Sequence, residues 1–319
     1  MKKNAFQRIV GILLLFILPA LLTACSPGEG KPAEGAFCFS DALGRELRLS
    51  KKPERVAALL GSFAEVWLLA GGSLCAAAED AWDDFGLELP GALDLGGAHS
   101  PNPELLLSAE PDLVIASASS ASHVALLELL EAAGIPVAFF DVDNFEEYLA
   151  MLEICCSITG REDLYAQNGL SLQTRIEEIR ALHAALALPE EERSVLLLRA
   201  SSGFVKAKGS EGSILGEMLA DLSCINIADS DSSLLENLSV EAVIRQEPRH
   251  IFVVTMGRDS EQAMQNLQQM MEENPAWGSL RAVSEGRLHL MERRLFHNKP
   301  NARWAESYEK LSALLLDEE

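Results

Sequence analysis

From Arg55 onward the chain alternates two kinds of hydrophobic pattern. Short apolar runs such as "RVAALL", "DLVIA", "IPVAFFDV", "SVLLLRAS" and "HIFVVT" have the length and residue types of strands buried on both faces. Between them lie segments with apolar residues at helical spacing. "SFAEVWLLAGG" predicts a helix with Ser62 as N-cap and Gly71 or Gly72 as its stop, and "SHVALLELLEAAG" predicts a second capped helix. "NFEEYLAMLEICCSIT", "SILGEMLADL", "SVEAVIRQ", "SEQAMQNLQQMMEE" and "NARWAESYEKLSALLL" continue the series, and "FCFSDALGRELRLS" ahead of it reads as a hairpin. Strands alternating with helices predict parallel sheets carrying helices on their faces.

The alternation stops once. Residues 161–188 contain no proline and no glycine after Gly169, with Leu172, Ile176, Ile179, His183 and Leu186 at helical spacing. At about 1.5 Å per residue, a helix of this length spans roughly 40 Å, more than a crossover requires. It is read as a strut joining two α/β lobes, residues 37–160 and 189–319. The lobes share a repeat. "ELLLSAEPDLVIA" from Glu104 and "EAVIRQEPRHIFV" from Glu241 place Glu104 and Glu241, Glu110 and Glu247, and Pro111 and Pro248 at a constant offset of 137 residues. Glu110 and Glu247, each before a proline, are expected in extended geometry.

Composition changes the picture at the amino end. Residues 1–24 join a basic head (Lys2, Lys3, Arg8) to an apolar run broken by Gly11 and Pro19, the pattern of a secretory signal. Leu22-Thr23-Ala24-Cys25 has the form of a lipobox, which predicts cleavage before Cys25 and lipidation of its thiol; an ordinary signal peptide cut nearby is the alternative. Residues 25–36 are then a Gly-, Pro- and Glu-containing tether. Losing residues 1–24 moves the net charge from −22 to −25, which argues against nucleic acid as a partner. Cys38, Cys75, Cys155, Cys156 and Cys224 are odd in number and include no CxxC pair, so no zinc knuckle or redox motif is present, and sequence leaves any disulfide open.

Taken together, the lipobox, "DALGRELRLSKKPERVAAL", "EPDLVIA", the mid-chain helix, "SVEAVIRQEPRHIFVV" and "NPAWGSLRAVSEGRLHLM" resemble the substrate-binding proteins of ABC importers for ferric siderophores, haem and cobalamin. The resemblance covers residues 37–316. It implies two α/β lobes with mainly parallel sheets, bridged by one long central helix, with a ligand cleft between lobes that move little on closure. It also implies partners, an ABC permease dimer with its ATPase, and an extracytoplasmic protein anchored to a bacterial membrane by its lipid and working as a monomer. In such proteins one exposed glutamate per lobe docks into arginine pockets of the permease, and position in the repeat assigns these roles to Glu104 and Glu241. A glutamate in a first helical turn is favoured by the macrodipole without any partner, by about 0.3–1 kcal/mol. Two at matching positions favour docking.

Ligands of parallel sheets lie off the carboxyl ends of the strands. The loops expected there offer Trp82 and His99 in the first lobe. In the second they offer Phe204, Lys206, Arg258, Arg293, Arg294, Phe296 and His297. Arg293, Arg294, His297 and Lys299 gather within seven residues of an acidic chain, and arginine forks suit carboxylate, catecholate or propionate oxygens. This favours an anionic iron chelate, a ferric siderophore or haem, over cobalamin. Trp82 and Phe204 are candidates for stacking on a flat ligand, and His99 and His297 for ligating haem iron. No resident cofactor, metal site or catalytic residue is expected: GxGxxG after a strand, GxxxxGK[ST] and HExxH are absent, and "GSILG" misplaces Ser213 for a nucleophile elbow. A lipoprotein that hands its ligand to a sensor has the same architecture and stays open.

Overall fold

Each apolar run becomes a strand in the computed structural model of the protein, which describes residues 37–257 and 259–316. The signal peptide, Cys25, the tether and Arg258 lie outside the described residues. β1 (Phe37–Ser40) and β2 (Glu46–Leu49) form the expected antiparallel hairpin, its turn closed by Asp41, which accepts hydrogen bonds from the Leu43 and Arg45 amides. The first lobe is a parallel sheet of β3 (Val56–Ala58), β4 (Leu74–Ala77), β5 (Leu93–Asp94), β6 (Leu113–Ser117) and β7 (Val137–Phe140) in the order β5-β4-β3-β6-β7. The second contains β8 (Ser194–Ala200), β9 (Val205–Ala207), β10 (Ile225–Asn226), β11 (His250–Thr255) and β12 (Leu288–Met291). Its parallel order is β10-β8-β11-β12, with β9 antiparallel on β8. All five residues of β6 are buried, as continuous apolar strands require when both faces are covered.

Residues 162–186 are helical throughout, with one π turn at Ala166–Leu170, and end at Ala187 in the left-handed region. Gly169 fits that turn because a β-carbon there would sit 2.9 Å from Leu149 Cδ2. This helix packs along the closing helix Trp304–Leu315. His183 Nε2 and Ser312 Oγ are 2.8 Å apart, and Arg175 Nε donates to Glu309 at 2.6 Å. Beneath them runs one core. It joins Trp67 and Tyr148 of the first lobe to Ile176 and Ile179 of the helix, to Leu197 and Phe252 of the second lobe, and to Trp304 and Tyr308. Each sheet buries its other face in a separate cluster of its own.

Three local expectations are corrected. Ser62 does not cap its helix, which starts two residues earlier than that cap requires, at Gly61 with Leu60 at the N-cap, and Ser62 is buried inside the first turn. The helix expected from Ser122 divides into Ala121–Val124 and Leu127–Ala132. Glu110 and Glu247 are left-handed (φ 46° and 42°), not extended, because each reverses the chain from a helix end to a strand over two residues. Their amides still bond back into the helix, Glu110 to Leu107 O and Glu247 to Val243 O. No described helix is long and apolar enough to cross a membrane.

Candidate functional site

Both lobes direct the carboxyl ends of their strands toward two adjoining cavities, of about 510 and 530 Å³. Leu60, Asp80, Asp84, His99, His297 and Asn298 line both. The first-lobe wall begins at the turn after β4. There Asp80 Oδ2 accepts from the Gly61 amide at 2.9 Å, which ties that turn to the helix after β3. Gly61 is required for this close approach: a β-carbon would lie 2.6 Å from the Ala81 amide nitrogen. Burial raises the Asp80 carboxyl above its usual range, and Asp80 Oδ1 is buried with no hydrogen-bond partner. After β6, Ser117, Ser119, Ser120 and Ser122 add hydroxyls to the wall.

His123, fully buried, holds two of these loops together. Its Nδ1 accepts from the Ser117 amide at 3.1 Å, so Nε2 carries the proton donated to Ala98 O at 2.6 Å. Burial lowers its pKa, keeping the ring neutral.

The second-lobe wall is cationic. Arg293 donates to Gly257 O at 2.6 Å and crosses to Asp84 at 3.2 Å, and Lys299 lies 3.6 Å from Asp143. Arg199, on β8 and on the same face as Leu197, is held below its usual pKa by burial, with Asp143 acting the other way. Burial, with Arg199, Arg293 and Lys299 nearby, pushes His297 down to about 4. The fold therefore favours neutral His297, and the sign of its pH dependence follows. Its contribution is complete above the unfolded imidazole pKa near ~6.5 and is lost as pH falls from there toward about 4. The thermal midpoint is expected to fall across that window, by the equivalent of up to about 3 kcal/mol from this group, and His297→Gln should flatten the slope. An unchanged slope in the variant would show that the imidazole is not held neutral.

The remaining sequence candidates separate clearly. His99, Arg293 and His297 line the cavities. Arg294 does not. Its Nη2 donates to both oxygens of Glu65 (2.7 and 2.6 Å), its Nη1 to Lys299 O and Pro300 O, and its guanidinium stacks 4.3 Å from the Phe85 ring centroid. With those donors engaged across the lobes it is a fastening, and Asn301 Nδ2 joins it by donating to Glu65 and to Ser62 O. Phe296 is also corrected from ligand contact to core, being 3% exposed, because the short helix Arg293–Phe296 turns it and Leu295 inward. Trp82 packs on the core edge and lines neither cavity. Phe204 and Lys206 pair with each other on the exposed β8–β9 hairpin at 5.2 Å. Asp80, Asp84, Phe85 and the serines were missed. The same strand-end rule that selected Trp82 points to the acids of "EDAWDDF" and to the "SASSAS" run after β6.

Glu104 and Glu241 are both exposed at the second position of helices Pro103–Ser108 and Val240–Gln246, after the capping residues Asn102 and Ser239. Each helix runs back toward the start of the next strand, so both glutamates sit at the end of the molecule where the cavities open. The Glu241 carboxyl is held below its usual range by its own backbone amide and by the Ser239 hydroxyl, 3.0 Å away.

This architecture, with cavities between facing strand ends, agrees with a family model described as "Periplasmic binding protein", which matches residues 56–295. The chain belongs to that family. This periplasmic binding protein is a substrate-binding transport protein and not an enzyme. No curated protein matches it in sequence. Among solved structures it is similar to the periplasmic haem-binding protein RhuT from Roseiflexus sp. RS-1, at 18% identity and TM-score 0.65, covering 83% of this chain and 98% of that one. Staphylococcus aureus SirA complexed with staphyloferrin B matches at 17% identity and TM-score 0.66, over 89% and 99% of the two chains. The vitamin B12 binding protein BtuF of Vibrio cholerae matches at 17% and 0.65, over 83% and 98%. At these identities the likeness bears on the fold. The choice of ligand rests on the residues of this chain.

Proposed function

We propose that the protein is the extracytoplasmic binding component of an ABC importer, anchored through Cys25 and acting as a monomer. It captures a ferric siderophore and delivers it to a permease dimer. One observation carries the choice of ligand: the cavities between the lobes are walled by hydroxyls and charges, and among the described residues Phe85 is the one Phe, Tyr or Trp lining either of them. Haem or cobalamin calls for broad apolar surface, whereas the oxygen-rich rim of a siderophore calls for hydrogen-bond donors. The test is a titration of the purified protein with ferric siderophores, haem and cobalamin, followed by quenching of its tryptophan fluorescence. Saturable binding of a siderophore, recovered chemically unchanged, is expected. Preference for haem or cobalamin, or binding to none, would overturn the assignment.

A further inference from the structure

The two walls of the site carry unlike charge, and the polar atoms left without partners on them are unlike in the same sense. On the first-lobe wall the orphan is an acceptor, Asp80 Oδ1, with Asp83 and Asp84 alongside. On the second-lobe wall the orphan is a donor, Arg293 Nε. A buried polar atom without a partner is costly, so each marks a place where a bound molecule gains by supplying the missing group. The ion pairs that cross the site repeat the polarity: Arg293 with Asp84, and Lys299 with Asp143, each take the cation from the second lobe and the acid from the first.

From this we infer that the cargo is bipolar: a ferric chelate that presents a cationic donor, such as an ammonium, to Asp80 and its neighbours, and oxygen acceptors to Arg293 and Lys299. The inference rests on the siderophore reading and narrows it. A chelate with negative charge all round would satisfy those cations but set its other side against Asp80, Asp83 and Asp84. A wholly cationic ligand would meet the reverse conflict at Arg293 and Lys299. A molecule with unlike poles replaces both cross-site ion pairs with its own, so opening them leaves neither partner bare. The raised carboxyl of Asp80 agrees, since a nearby cation would restore its charged form.

The experiment compares three probes on the full-length protein: a linear ferric trihydroxamate ending in a free ammonium, the same chelate with that amine acetylated, and a ferric tricatecholate bearing only negative charge. The ammonium form should bind most tightly, with acetylation weakening it about tenfold to a hundredfold, the range of a charge-assisted hydrogen bond. Asp80→Asn, which keeps a carbonyl oxygen for the Gly61 amide, should weaken the ammonium form by a similar factor and leave the acetylated form unchanged. Because the acetylation arm uses the unaltered protein, the result does not depend on how the variant folds. Equal or tighter binding of the acetylated or tricatecholate probe would overturn the bipolar cargo and leave the siderophore reading standing. Binding of none of the three would overturn both.

Discussion

Uptake through the transporter should fall to background when Glu104→Lys and Glu241→Lys are combined, while the affinity of the protein for its ligand stays unchanged. The reason is placement. Both side chains are exposed at one end of the molecule, one per lobe, and neither lines the cavities. If they dock into cationic pockets, as the resemblance implies, reversing them turns two attractions into two repulsions, each costing several kcal/mol where like charges are forced together. Their intrinsic role as first-turn acids is worth only about 0.3–1 kcal/mol each, so the doubly substituted protein should remain folded. Ligand accumulation in vesicles containing the permease and ATPase, read beside ligand titration of the same preparation, separates the two effects. Uptake that survived the double reversal would remove these residues from docking.

The second large effect concerns the closing helix. Trp304→Ala should cost about 3–5 kcal/mol of stability, the usual penalty for truncating a buried aromatic. Trp304 is fully buried, packs edge-on against Phe145 of the first lobe at 6.0 Å, and lies beside Tyr308, whose hydroxyl reaches Asp221 of the second. Leu290→Ala, at a side chain 56% exposed on β12, should shift stability by no more than about 0.5 kcal/mol. Chemical denaturation of both variants measures the contrast. If the two losses were alike, or if the lobes melted in separate steps, a core common to both halves would be ruled out.

Much of the fold was legible because periodicity reports burial. "HIFVVT" became β11 residue for residue, and the duplicated unit appears as two helices, each with a side-chain N-cap (Asn102, Ser239), an exposed glutamate and a left-handed turn. Pattern could not show what depends on pairing across distance. Arg293 and Arg294 are neighbours of one type, yet one faces the cavity and the other is consumed by Glu65, more than two hundred positions earlier in the chain. Phe296 illustrates the same limit, since a single turn of helix decides whether an aromatic meets ligand or core. Asp80 was overlooked because an acid in an acidic loop has no distinguishing spacing. Its significance comes from the Gly61 amide and from an oxygen left unsatisfied.

The shared core has a mechanical corollary. Side chains from both halves interleave in a dry seam, so swinging the halves apart would wet it, at about 2.5 kcal/mol for every ~100 Å² exposed. Thermal agitation of about 0.6 kcal/mol seldom supplies that many times over, so spontaneous gaping is rare. Unloading then needs an external lever, which a permease docked on Glu104 and Glu241, as the resemblance implies, would provide.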